Sequence, residues 1–535
     1  MNLVVLSVDS AAYETAPPSL NHSSSNLSNR LIPLTALASA TFLLHGYHPY
    51  SQDGAIYVAG LERTINPSLF QADAIFVDGH SRLSLFSHLL AWISVHAHLP
   101  FNILLLLIYC VSIFAFLFAS HLLAMRLFRS EYARWSSTLL AAVCLTMPAA
   151  ATSLLVADPY LTARSLSTPL TLLAIVACLD RSWTRMAICT LLACSLHPLM
   201  GIYLIGFLLT LMLLSQRRLL AALGLCGAAF LLCGLIAWIT RHDPVSPYYR
   251  EAALSRTYYF LSRWQWEEIL GLIAPLLLMA IAAVKSGLRS NAGKLCLACV
   301  FTGATSCLAS LCFVHPDHPD LLMRLQVLRS FHTIYVLGLV MLGGFIGLHI
   351  LRRRVLPGIA VLIIAIAGMA FGDHQSYPVS SHIEWPWERP TSPEEQAFLW
   401  VRAHTPPQAL FASDSTATHS SDDEPGFRAM AERSTLNDSK DEGVSSLFPA
   451  ARSSLGTLPR RTARPESTHR RRANRAPPPL RSHLDPPLPP GHHRLLLPLP
   501  QLRRSRVPDQ HPIHHPRKKI IAPVCSCCHP APERS

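Results

Sequence analysis

Residues 101–125 read FNILLLLIYCVSIFAFLFASHLLAM, a run of 25 residues without one Asp, Glu, Lys or Arg, closed by Arg126. About 20 apolar residues in a helix suffice to cross the roughly 30 Å hydrocarbon core of a bilayer. Working outward from that run, further apolar stretches fall at 31–45, 136–156, 166–179, 186–197, 198–215, 219–239, 269–284, 295–314, 331–350 and 355–371. The expected fold is therefore an all-α multi-pass membrane protein with about 11 transmembrane helices in a domain spanning 31–371. The two stretches that meet at His197-Pro198 read as short helices turning at the proline, because Pro disfavours helical geometry in the residue before it. Composition agrees: the 535 residues are 50% hydrophobic and 14% charged, with a mean hydropathy of +0.31.

The net charge of +13 belongs to the tail alone. Residues 451–535 hold 17 Lys+Arg against 4 Asp+Glu, the whole of the excess, so the body of the chain is neutral. Net charge thus gives no reason to expect a nucleic-acid partner. Eleven of the 14 cysteines lie inside apolar stretches, where free Cys behaves as a small hydrophobe, and no disulfide framework is legible. Residues 1–30 lack the basic-then-apolar pattern of a cleaved signal peptide and read as a disordered cytoplasmic N-terminus.

Positive charge sets the expected orientation. Arg126/Arg129/Arg134, Arg181/Arg185, Arg217/Arg218, Lys285/Arg289/Lys294 and Arg352/Arg353/Arg354 share one side if the chain crosses eleven times. That arrangement closes only if 83–99, LSLFSHLLAWISVHAHL, lies along the outer interface as an amphipathic helix. The expected arrangement has the N-terminus cytoplasmic, the C-terminus outside and membrane lipid as partner.

The outer side then collects the unusual residues. The long loop 46–82, GYHPYSQDGAIYVAGLERTINPSLFQADAIFVDGHSR, carries Asp53, Glu62, Asp73 and Asp78, with His45 and His48 at its mouth. Asp53 stands out, since it sits beside Gly54 and ahead of the apolar AIYVAGL. Partial desolvation there would raise its pKa toward general-base work, or the carboxylate could hold a divalent metal; no other cofactor is expected. Asp158 and Arg164 follow in ADPYLTARS, and a guanidinium fork matches phosphate oxygens. His197, and Arg324 and Arg329 in HPDHPDLLMRLQVLR, complete the outer set. The His315/His318 spacing suits a metal but has no third or fourth ligand nearby.

Taken together, GYHPYSQDGAIYVAGLERTINPSLFQADAIFV, DPYLTARSLSTP, LHPLMGIYL, FLWVRAHTPPQALF and FRAMAERSTLNDSKD resemble the glycosyltransferase C-type (GT-C) superfamily, in particular its uncharacterised bacterial polytopic members. The resemblance covers about residues 31–450. It implies a periplasmic active site that takes a sugar from a polyprenyl-phosphate carrier. On that reading Asp53, with Glu62, is catalytic. Arg164, Asp158, His197, Arg324, Asp73 and Asp78 bind carrier and acceptor. The sequence departs from a paired-acid signature, because Asp53 and Glu62 are far apart and Asp73 and Asp78 are not adjacent. The alternative is a non-catalytic membrane protein of the same architecture, a transporter component or scaffold.

Past the last apolar stretch, 372–450 reads as the start of a periplasmic α/β domain. Ser392 is the expected N-cap, Pro393 the first helical residue and Glu395 the capping-box partner of a helix ending near 404. LFAS reads as a strand and 427–433 as a short helix. Residues 451–535 are Arg-, Pro- and His-rich without periodicity. They read as a disordered basic tail and suggest translation in a shifted frame; the CSCCHP near the end is spaced too tightly for a structural zinc site.

Overall fold

The computed structural model describes residues 25–240, 247–317, 321–351, 355–390, 392–412 and 423–436, with 438, 440, 441 and 444 beyond them. The expected basic tail, most of the expected N-terminal lead, and His318 of the metal-spaced pair lie outside the described residues.

The chain is mostly helical. Helix α1 (Ser25–His45) leads into three shorter ones, α2 (Gln52–Ile65), α3 (Ala74–Leu83) and α4 (Leu85–His96). Next come α5 (Phe101–Leu127), α6 (Glu131–Val143), α7 (Ala163–Leu179), α8 (Trp183–Leu196), α9 (Pro198–Ser215) and α10 (Leu219–Thr240). After α11 (Pro247–Leu254) the bundle continues with α12 (Trp266–Ser286), α13 (Asn291–Phe313), the single turn α14 (Leu321–Arg324), α15 (Phe331–Ile346) and α16 (Val355–Ser376). A small outer segment closes the described chain: α17 (Pro393–His404), β1 (Leu410–Ala412), α18 (Phe427–Ala431) and β2 (Ser434–Leu436). Its two strands pair in parallel, Phe411 opposite Thr435.

Among the described residues, seven stretches are long and apolar enough to cross a membrane: α5, α9, α10, α12, α13, the run Leu321–Leu351, and Leu356–Ser376. The chain is thus an all-α multi-pass membrane protein. Isolated apolar side chains such as Leu220 (84% exposed) and Leu356 (81%) belong in lipid rather than water. The other four expected stretches differ from simple spans. The 31–45 run is the apolar part of α1, while α7 and α8 have 17 and 14 residues. The expected 136–156 span breaks: α6 stops at Val143 and the chain runs non-helically to Thr162. Pro148 supplies no N–H there, and the segment bonds to itself instead, Val156 N to Met147 O at 2.9 Å and Ala149 N to Leu154 O at 2.8 Å. Irregular backbone survives among spans only where protein covers it, and Leu145, Ala149, Leu154 and Val156 are all buried.

Helix α5 measures the bundle. Its 27 residues at 1.5 Å each make a rod of about 40 Å. At one end Asn102 donates to Pro386 O of the segment after α16 (3.2 Å). At the other, Arg126 forms a two-pronged pair with Asp180 (2.8 and 2.9 Å), and Asn291 donates to Arg126 O. Lys294 lies within electrostatic reach of Arg181 and Arg217, so the basic loops gather at this second end. Helix α15 packs on α6 through Gly343 and Gly347, a small-xxx-small pair. A Cβ at Gly347 would lie 2.6 Å from Tyr132 O, which only close backbone packing requires.

Candidate outer-face site

The site is built where loop 46–51 is held between two other segments. His48 N donates to Pro159 O (2.8 Å), Tyr47 N to His382 O (3.0 Å), and Glu384 N to Tyr47 O (3.0 Å). Gly46 has φ +74, and a Cβ there would strike the His382 carbonyl, so only glycine lets the segments meet. Helix α2 begins immediately afterwards. Gly54 in its first turn packs on Tyr160, where a Cβ would sit 3.2 Å from the Tyr160 ring. This contact brings Asp53, half-buried on the same turn, beside the 157–164 segment. Asp53 acts electrostatically on Arg164, Asp158, Tyr57 and Tyr160.

Asp158 and Arg164 are buried together, Arg164 Nη2 donating to Asp158 Oδ2 at 2.5 Å. Thr162 Oγ1 also donates to Asp158 (3.3 Å) while Thr162 and Ser165 cap α7 reciprocally, which fixes the start of the helix that carries Arg164. Burial pushes the Asp158 carboxyl above the usual carboxylate range and Arg164 opposes the rise. Arg164 Nε has no hydrogen-bond partner among the described residues. The residue lines a narrow crevice of about 10 Å³ between α5 and α7, together with Tyr109, Ser112, Phe116, Asp158 and Thr168. On the far side, His332 Nε2 donates to Val156 O (2.9 Å), and the Arg329 guanidinium lies 5.3 Å from the Tyr258 ring centre. Both Arg164 and Arg329 act on His332 and on Tyr57. Asp53, Asp158 and Arg164 therefore gather at the end of the bundle away from the basic loops, and Arg329 acts on their neighbours His332 and Tyr57.

The remaining expected residues go elsewhere. Glu62 lies nine residues beyond Asp53 on α2, two and a half turns, hence on the opposite face. It is buried, neither carboxylate oxygen has a partner among the described residues, and burial, then Glu432, pushes it well above the usual range. Its neighbours are Arg402 and Glu432 of the outer segment. Asp73 accepts from Arg428 Nε (2.6 Å) and from Thr435 N (3.0 Å), which pins α18 and β2 onto the loop. Asp78 pairs with Arg63 (2.7 Å) and Arg82 (3.0 Å) within the loop itself. His197 caps α9 by accepting from Met200 N (3.4 Å), and Arg324 ends the single turn α14. Among the described residues, no group of three His, Cys, Asp or Glu side chains is placed to share a metal.

Sequence reasoning passed over Glu384, Glu395, His332 and Arg428. Glu395 was expected as a capping-box partner. Ser392 Oγ accepts from Glu395 N (3.5 Å), the Ser392 backbone bonds back to the Glu395 carboxyl, and the same side chain lines a cavity. The cavity, about 210 Å³, lies between the loop and the outer segment, with Tyr47, Tyr50, Glu384, Trp385, Glu395 and Arg402 in its wall. Glu384 meets His48 Nδ1 at 2.8 Å, and the His48 ring stacks on Tyr377 at 3.8 Å. The alternation of aromatic and acid in IEWPWE was the available signal for this cavity.

No family model matches the chain, and no curated protein matches it.

Proposed function

We propose that the protein is a GT-C-like glycosyltransferase of the bacterial inner membrane that uses a polyprenyl-phosphate-linked sugar at its outer face. The single observation that carries the reading is the convergence of Asp53 with the buried Arg164–Asp158 pair. A lipid phosphate needs positive charge where it meets the apolar core, and Arg164 places a guanidinium at that level. In the reaction the acceptor hydroxyl oxygen bonds the anomeric carbon and gives its proton to Asp53. The bond from that carbon to the phosphate oxygen breaks, and its electron pair leaves with the carrier phosphate, which Arg164 and Arg329 stabilise.

The topology belonging to this reading has eleven crossings. The basic end of the bundle faces the cytoplasm, and α1, α6 with its non-helical continuation, α7 and α8 form the short traverses. The N-terminus then lies in the cytoplasm, the outer segment in the periplasm, and α4, with Leu85, Leu89 and Trp92 exposed, along the outer interface.

Sugar transfer from a synthetic short-chain polyprenyl-phosphate sugar, measured in membranes, tests the reading. Asp53→Asn is expected to lower the rate by roughly 10²–10⁴-fold, the usual worth of a general base. Wild-type membranes that transfer no sugar, or an Asp53→Asn protein that transfers at the native rate, would leave the scaffold reading.

A further inference from the structure

We propose that the cavity between the first outer loop and the outer segment is a binding site for a single neutral sugar ring. Its volume of about 210 Å³ leaves room for several waters, which suits one pyranose ring. The wall offers two kinds of surface. Trp385, stacked on Trp387 with ring centres 5.0 Å apart, and Tyr50 give flat aromatic faces against which the C–H face of a sugar packs. Glu384, Glu395 and Arg402 give donors and acceptors for the ring hydroxyls.

The charge balance selects neutral ligands. Burial holds Glu384 up to about 8 and Glu395 up to about 7, so near neutrality neither presents a settled negative charge. Arg402 is already paired with Glu432 at 2.5 Å. Glu388 and Arg389 add one charge of each sign to the wall, so it offers neither a cation nor an anion a site of one net sign. A hydroxyl-rich neutral molecule finds protonated carboxyls that both donate and accept.

This site is separate from the Asp53–Arg164 cluster and does not rest on the proposed transfer reaction. Both are built on loop 46–53, whose Tyr47 and Tyr50 face the cavity while Asp53 faces Arg164.

The test is saturation-transfer NMR on the full chain in detergent, titrating the methyl glycosides of glucose, mannose and N-acetylglucosamine, with ethanolamine and inorganic phosphate as charged probes. Saturable binding of at least one glycoside is expected, weakened at least tenfold in Glu395→Gln and in Trp385→Ala. Asp53→Asn should bind as the native protein does, so loss of transfer and loss of sugar binding are read independently. Thermal melts of each variant separate local loss from unfolding, and Trp385→Phe, which keeps an aromatic face, should bind within a few-fold of native. The proposal is overturned if no glycoside saturates. It is overturned equally if only ethanolamine or phosphate binds, or if folded Glu395→Gln and Trp385→Ala bind as tightly as native.

Discussion

Replacing Glu384 with Gln probes the electrostatics of the outer cavity. Burial first, and Asp423 second, push the native carboxyl up to about 8 from an ordinary 4.5. Between those values the folded protein keeps a proton that the unfolded chain has released. The resulting stability is fully present below about pH 4.5 and is lost as pH rises through 8. His48, its hydrogen-bond partner, has the opposite sign. Burial lowers His48 from 6.5 to about 4, so its share grows as pH climbs between those values and is level above them. The two trends offset each other below pH 6.5, and above it only the Glu384 term of this pair still changes. From pH 6.5 to 8 that change integrates to about 2 kcal/mol at roughly 1.36 kcal/mol per pH unit. Glu395 and Asp441, each pushed up to about 7 chiefly by burial, tilt the curve the same way in its lower part but are common to both proteins. Thermal unfolding of native protein and Glu384→Gln, followed in detergent from pH 5 to 8.5, isolates the difference. The native protein should lose about 2 kcal/mol more than the variant across the upper window. Parallel curves would mean that Glu384 is ionised in the folded state, and the neutral character of the cavity would fall with it.

Arg428 is buried and donates to Asp73, Asp438, Asp441 and the Thr435 carbonyl, so Arg428→Met strands three carboxylates without their cation. A loss of about 3–5 kcal/mol is expected, as for other broken buried pairs. It should be visible as rapid protease cleavage within 392–444 while the membrane bundle stays intact, and native-like resistance would contradict the assignment. Gly46→Ala should cost more than the roughly 1–2 kcal/mol of a left-handed backbone, because its Cβ also meets the His382 carbonyl. Gly368→Ala, in a helix with open space around it, should be neutral or stabilising by comparison; equal melting temperatures for the two variants would refute the close approach.

The bundle was legible wherever one helix carried a whole apolar run, as in 101–125. It was not legible at 136–156, because hydropathy reports burial and not backbone form. Pro148 and a self-bonded loop look as apolar as a helix when protein covers them. The His197-Pro198 turn and the Ser392-Pro393 helix start were readable because local stereochemistry fixes both. Asp53, Asp158 and Arg164 could be named separately, but their meeting depends on Gly54 resting against Tyr160 over a hundred residues away. Loop composition holds no trace of such a contact. Asp73 shows the converse. A carboxylate in an acidic loop reads like its neighbours, yet its partner Arg428 lies 355 residues later, in the outer segment.

That long-range pairing bears on the change of texture near residue 451. The last described positions still pack on the rest of the chain. Asp438 and Asp441 hold Arg428, Lys440 Nζ bonds Gln52, and Val444 is buried at 3% exposure. Residues 451–535 carry no pattern that could extend this packing. Meanwhile β1 and β2 are strands of three residues in a two-stranded parallel sheet. Helices α17 and α18 pack beside it through Phe398, Phe411 and Phe427, the support a two-stranded sheet needs. We infer from the change of texture a shift of reading frame near residue 451. Resequencing across codons 440–465 should then show a second frame that continues an alternating α/β pattern. Tryptic peptides from 451–535, recovered by mass spectrometry from the natively produced protein, would refute the shift and make the basic tail a real segment.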